Sequence, residues 1–196
     1  MFKPRSPENI YSEANLITLV RLIGSLIFFT LAAIEKNPLY NFIGLGIHWI
    51  GDVADGFWAR FFKQETVLGA EIDIIADRVE IIFFYINFLF FRPYLFLPIV
   101  IYLINFVFID FYLSYQFLKF GLISPNYFYK VDRKVYFLNY SPGAKFINST
   151  VVALILIFFP RCQLAATLIA LGLIFIKLYS FKRLNNKLNS DKNTCP

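Results

Sequence analysis

Six apolar stretches, each near the length that crosses a bilayer, follow one another through this chain and narrow its folds more than any other feature. A hydrocarbon core of roughly 30 Å needs about twenty apolar residues of helix. Backbone groups at that depth must find their partners inside the segment, which favours helices. The candidate spans are 15–35, 39–60, 67–91, 93–119, 144–160 and 163–183. Hydrophobic residues fill 58% of the 196 positions and phenylalanine alone occurs 25 times, more than a soluble domain of this size carries. The expectation is an all-α, polytopic membrane protein with six transmembrane helices. One membrane domain is expected over 1–183, preceded within it by Met1–Ala14 as a short interfacial segment too polar for a signal peptide. Residues 184–196 read as a polar, disordered tail.

An even number of spans places both termini on one side. On that topology, Lys36, Arg92 and Arg161 are the basic residues outside the spans that fall on the opposite side, while most of the 19 Lys and Arg lie with the termini. The positive-inside rule then puts both termini in the cytoplasm, and in a bacterial cell the membrane would be the inner one. The net charge of +6 is explained by this topology and by attraction to anionic headgroups. No soluble basic domain is present, which excludes nucleic acid as a partner. Lys130, Arg133, Lys134 and Lys145, in the connection 120–147, have a second reading as a clamp for a phosphate-bearing acceptor. Cys162 and Cys195 fall on opposite sides of the membrane and form no disulfide.

Against this background the acidic residues are unevenly placed. Asp52, Asp55, Glu65, Glu71, Asp73, Asp77 and Glu80 are seven of the 13 in the chain. Asp52 and Asp55 share a helix face that Gly56 and Ala59 continue, and Gly69, Asp73 and Asp77 form a stripe on the next helix. The short link between them makes the two helices antiparallel neighbours, so the stripes meet near the cytoplasmic ends of spans two and three. A carboxylate at mid-membrane costs about 2.5–3.5 kcal/mol on insertion scales. Each close pair adds on the order of 4 kcal/mol of repulsion at an effective dielectric near 20. Arg60 and Arg78 are too few to balance four aspartates. Divalent cations would, and an all-oxygen site suits Mg²⁺ or Mn²⁺. The lone His48 and the scattered cysteines argue against zinc. His48 itself reads more simply as a packing residue, and Asp110 either as an inter-helix contact or as part of a groove.

These residues resemble the signature of the CDP-alcohol phosphatidyltransferase family, Asp-x2-Asp-Gly-x2-Ala-Arg-x8-Gly-x3-Asp-x3-Asp. All fixed positions are met, by Asp52, Asp55, Gly56, Ala59, Arg60, Gly69, Asp73 and Asp77. At roughly one in twenty per position, a chance match at a given start is on the order of 10⁻¹⁰. The upstream Asn15-Leu-Ile-Thr18-Leu-Val-Arg21 is similar to the family's first-helix pattern, with Ala14 where that pattern often has Pro. The resemblance implies a homodimeric six-helix enzyme working at the cytoplasmic interface. It would transfer a substituted phosphate from a CDP-linked lipid, CDP-diacylglycerol, to a small polar alcohol and release CMP. By position, Asp52, Asp55 and Asp73 would hold the metal ions, and Asp77 would complete their shell and act as base. Gly56, Ala59, Arg60 and Gly69 would line the nucleotide site, with Asn15, Thr18 and Arg21 contributing from the first helix.

For the acceptor, Gln64-x-Thr66 and Asp77-Arg78 look similar to phosphatidylinositol synthases, which makes inositol the expectation. The glycerol-phosphate and inositol-phosphate transferring relatives are the alternative, and the basic connection would suit them. A membrane prenyltransferase would need a second Asp-rich motif. A transporter with intramembrane carboxylates would be expected to show inverted repeats or broken helices, and neither is visible in the sequence.

Overall fold

The computed structural model describes residues 11–194, with side chains to 190. Most of the expected interfacial segment lies outside the described residues, and Glu13 and Ala14 already belong to the first helix. The chain is helical, with no strand among the described residues, and divides into two compact units, Met1–Phe96 and Leu97–Pro196.

The first unit is a trio of long helices, α1 (Glu13–Ile34), α2 (Pro38–Phe61) and α3 (Val67–Phe91). Each starts on a residue suited to capping. Ser12 accepts from the Asn15 amide, Asn37 from that of Leu39 ahead of Pro38, and Thr66 from that of Gly69. Lys36 and Lys63, just past the ends of α1 and α2, take the left-handed conformation (φ 53° and 55°) that commonly closes a helix.

Burial in this unit departs from that of a soluble protein by taking polar and charged side chains inside along with apolar ones. Helix α1 buries Asn15, Thr18, Arg21 and Ser25 at helical spacing and exposes Leu16, Val20, Ile23 and Ile27. Helix α3 buries Arg78, Glu80 and Asn87 and exposes Ile75, Phe83, Ile86 and Phe90. Polar side chains inside and apolar ones outside are the arrangement of helices dissolved in lipid. One polar node ties all three helices together: Asn87 Nδ2 donates to the Phe29 carbonyl (2.8 Å) and to Asn41 Oδ1 (3.2 Å), and Asn41 Nδ2 donates to the Phe84 carbonyl (3.1 Å). Around it the rings of Phe29, Phe42, Phe84 and Phe88 stack and tilt against one another. Gly44 admits this packing, because a Cβ there would lie 2.6 Å from the Phe29 ring.

In the second unit the helical run Pro93–Lys119, whose first residues belong to the first unit, passes through α4 (Phe96–Leu103), a π-helical segment (Ile104–Asp110) and α5 (Phe111–Lys119). A short 3₁₀ turn, Pro125–Lys130, leads to α6 (Arg133–Asn139). Then come α7 (Pro142–Phe146), a second π-helical segment (Ile147–Val151), α8 (Val152–Phe158) and the long α9 (Gln163–Thr194). Buried Lys177 on α9 forms a close ion pair with Asp110 at the end of the first π-helical segment. Asp110 is therefore an inter-helix contact, one of its two expected readings. Asn139 Nδ2 donates to Ser180 Oγ (2.8 Å), and Asp132 caps α6 while accepting from Arg183 Nε (2.6 Å).

Among the described residues, four helical stretches are long and apolar enough to cross a membrane: Glu13–Ile34, Pro93–Lys119, Arg133–Phe158 and Pro160–Ser190. Helices α2 and α3 have the length, at 24 and 25 residues, but carry the polar cluster. The fifth expected span, 144–160, is helical from further upstream, with a break at Tyr140–Ser141 ahead of Pro142. The expected disordered tail differs more, since α9 continues through 184–194. Its polar composition conceals partners that hold it: Leu184 is buried, Arg183 bonds Asp132, and the Lys187 ammonium donates to the Val131 carbonyl.

Two stability measurements check this description. The Gly44→Ala variant should lower the melting temperature in detergent, by an overpacking cost of about 1–3 kcal/mol. Gly46→Ala, with nothing within 4 Å of the added methyl, should not lower it, since alanine favours a helix interior over glycine. For Asp132, burial alone would raise the carboxyl pKa. The amides of Val135 and Lys134 and the Arg183 guanidinium outweigh that and hold it below the usual carboxylate value. A lowered folded value contributes stability that is complete above the unfolded value and is lost as pH falls through the folded one. Asp132→Asn should therefore be less stable than wild type at neutral pH, and the gap should close in acid.

Candidate active site

The four motif aspartates come together where α1, α2 and α3 pack. Asp52 and Asp55 stand on α2, Asp73 and Asp77 on α3, and the spacing of each pair along its helix turns both toward α1. Carboxylate oxygens of Asp52, Asp55 and Asp73 lie within 4.8 Å of one another, a set able to hold a metal ion. A second set, again within 4.8 Å, consists of His48, Asp77 and Glu80.

Arg21 of α1 stands among all of them. Its Nη1 lies 3.4 Å from Asp52 Oδ1 and 3.2 Å from Asp55 Oδ2. Its Nη2 lies 3.3 Å from Asp73 Oδ1 and 3.0 Å from Asp77 Oδ1, and its Nε 3.2 Å from Glu80 Oε2. The resemblance implied a nucleotide contact for Arg21, whereas here its guanidinium touches five carboxylates. Gly51 makes room for it, because a Cβ there would sit 2.4 Å from Arg21 Cγ. Glu80 is in turn held by Ser25 Oγ (2.6 Å) and His48 Nδ1 (2.8 Å). His48 is thus buried against a charged partner rather than being a simple packing residue.

Exposure rises steadily from floor to mouth. The Glu80 and Arg21 side chains are 0% and 1% exposed, Asp55 4%, Asp77 24%, Asp73 38% and Asp52 48%. The floor is sealed and charge-paired, while the mouth offers carboxylates to a ligand. Fully buried charges persist when they are paired: Glu80 is bonded by Ser25 and His48, and Arg21 bonds Asp52 and Asp77 while its Nε stands in ion-pair range of Glu80 without a hydrogen bond.

The other expected residues take these places. Thr18 Oγ1 donates to Asp55 Oδ2 (2.8 Å), fixing the most buried aspartate. Gly69 lies against Asn15, with a Cβ there 2.8 Å from Asn15 Oδ1, so these two are brought together. Gly56 packs under the exposed Arg60, whose Nη1 would lie 3.2 Å from a Cβ. Ala59, half-buried, gives its carbonyl to the Gln64 amide (2.8 Å). Gln64 and Thr66 both have structural work: the Gln64 side chain bonds the Ala14 amide and Glu13, and Thr66 caps α3. Of the basic residues, all in the second unit, Lys130 lies over the Tyr127 ring (4.6 Å) and Lys134 over that of Tyr179 (5.2 Å). Arg133 and Lys145 are exposed.

Ser25 and Gly51 were not singled out for this site by sequence, and Glu80 was counted in the acidic cluster without a role. The available signal was a buried-face stripe on α1, Thr18, Arg21 and Ser25, at spacings that continue onto Phe29. Gly51 sits beside the signature and outside it.

The family model for CDP-alcohol phosphatidyltransferase matches residues 11–178. Among curated proteins, the chain is 39% identical over 64 residues to a CDP-diacylglycerol–inositol 3-phosphatidyltransferase of Candida albicans, covering 33% of this chain and 27% of that one. It is 33% identical over 92 residues to a CDP-diacylglycerol–glycerol-3-phosphate 3-phosphatidyltransferase of Aquifex aeolicus, covering 46% and 50%. The chain thus spans half or less of the length of these relatives. No solved structure matches it significantly.

Proposed function

We propose a reaction on one premise: this chain belongs to the CDP-alcohol phosphatidyltransferase family. It transfers the phosphatidyl group of CDP-diacylglycerol to the hydroxyl of a small alcohol and releases CMP. The observation that carries this reading is the convergence of Asp52, Asp55 and Asp73, whose oxygens approach within 4.8 Å at an open mouth.

The donor set suits a hard divalent cation, Mg²⁺ or Mn²⁺, because every ligand at the mouth is a carboxylate oxygen. Asp52, Asp55 and Asp73 would hold it, and Asp77 would complete the shell. Once bound, the cation offsets the negative charge of the diphosphate and of the departing CMP. The protein's own groups do the rest. Asp77 accepts the proton of the acceptor hydroxyl, whose oxygen forms a bond to the phosphorus that carries the lipid. The bond from that phosphorus to the bridging oxygen breaks, and CMP leaves with the electron pair. Gly56, Ala59, Arg60, Gly69, Asn15 and Thr18 serve the nucleotide, Gly69 by admitting Asn15 and Gly56 by seating Arg60.

In this reading all six long helical runs span the membrane, with the charges of α2 and α3 turned away from lipid. The enzyme is a homodimer, with its site and both termini on the cytoplasmic side. The proposed acceptor is inositol, supported by the Asp77-Arg78 pattern and by likeness to the Candida relative. Gln64 and Thr66 carry less weight for it, since both already have structural work. Glycerol 3-phosphate is the second reading, favoured by the basic residues of 130–145 and by the Aquifex relative.

Purified protein given CDP-diacylglycerol should release CMP fastest with inositol in a panel that includes glycerol 3-phosphate and inositol 1-phosphate. EDTA should abolish the release and added Mg²⁺ or Mn²⁺ restore it; full activity in chelator would remove the metal from the reading. Faster release with a phosphorylated acceptor would replace inositol and leave the transferase standing. Asp77→Asn should cut turnover by at least about a hundredfold while CDP-diacylglycerol binding falls much less. Turnover within a few-fold of wild type would take the base role from Asp77.

A further inference from the structure

The guanidinium of Arg21 contacts one oxygen of each motif aspartate, and it is fixed from behind. Glu80 lies against its Nε, Ser25 and His48 hold Glu80, and the bare backbone of Gly51 gives its stem room that a Cβ would take. Its side chain is 1% exposed, so the positive charge is held inside the cluster. A divalent cation on the same carboxylates would share them with this fixed positive charge.

We propose that Arg21 is a built-in counter-cation that lowers the affinity of the four aspartates for a free divalent ion. This rests on the reading that those aspartates hold the metal, and it assigns Arg21 a positioning role instead of a contact with the nucleotide. Two consequences follow from charge alone. Without a metal, Arg21 keeps four neighbouring carboxylates from repelling one another apart. With a metal, its repulsion makes binding of the bare ion weak, so that tight binding needs the added negative charge of a diphosphate. Glu80, Ser25, His48 and Gly51 act through Arg21 by holding it in place.

The test is Mn²⁺ binding to the purified full-length protein in detergent, followed by electron paramagnetic resonance with neither lipid nor nucleotide present. Arg21→Gln should bind Mn²⁺ on the order of tenfold more tightly than wild type. Arg21→Lys, which keeps the charge, should stay near wild type. Arg21→Gln should also melt lower than wild type without metal and gain more from Mn²⁺ than wild type does. Equal or weaker Mn²⁺ binding by Arg21→Gln overturns the proposal. Gly51→Ala provides an arm in which Arg21 is displaced with its charge retained. Tighter Mn²⁺ binding there supports the proposal, and unchanged binding counts against it even if Arg21→Gln does not fold. If neither wild type nor Arg21→Gln binds Mn²⁺, the metal reading falls together with this one. If wild type binds and the variants do not tighten, this inference fails alone.

Discussion

Arg21 and the carboxylates around it set the terms for the first unit. Placing five acids among apolar helices is unfavourable unless positive charge and hydrogen bonds meet them at short range. One arginine approaching all five at 3.0–3.4 Å, with Ser25, Thr18 and His48 as further partners, meets part of that condition and leaves the cluster with negative charge to spare. Other features of the trio follow from that requirement. Helix α1 must turn its polar stripe inward and leave its leucines and isoleucines to the outside. Helix α2 must carry a glycine where the arginine stem crosses it.

Away from the charges, different forces hold the trio. The Asn41–Asn87 pair and the carbonyls of Phe29 and Phe84 form a neutral polar node inside a cluster of aromatic rings. Amide groups cross-link helices in an apolar medium without the desolvation cost of ions. In the second unit the ion pairs Lys177–Asp110 and Arg183–Asp132 play the same part for α9. Asp110 closes a π-helical segment, a local widening of the helix that often accompanies functional or strained positions.

Much of the site was legible in the sequence because its aspartates and glycines are close neighbours along the chain. Their spacing of three and four residues fixes which face they share, and the short link after Phe61 makes α2 and α3 adjacent. Helix positions were legible for the same reason, down to the first four expected spans. The partners of the cluster were harder to read. Arg21 is 31 residues from Asp52, and Glu80 lies 55 from Ser25, so no local periodicity joins them. Counting only Arg60 and Arg78 against the aspartates missed the arginine that is in contact. His48 looked like packing because its partner is 32 residues away. The helical end of α9 was hidden by its polar composition, since long basic side chains find carbonyl and carboxylate partners that composition does not reveal.

Exposure climbs across the cluster, from Glu80 and Arg21, which are closed to solvent, to Asp73 and Asp52, which meet it. The buried pair is a foundation and the outer aspartates a working edge. A cluster built in this order can change partners at its edge without being rebuilt underneath.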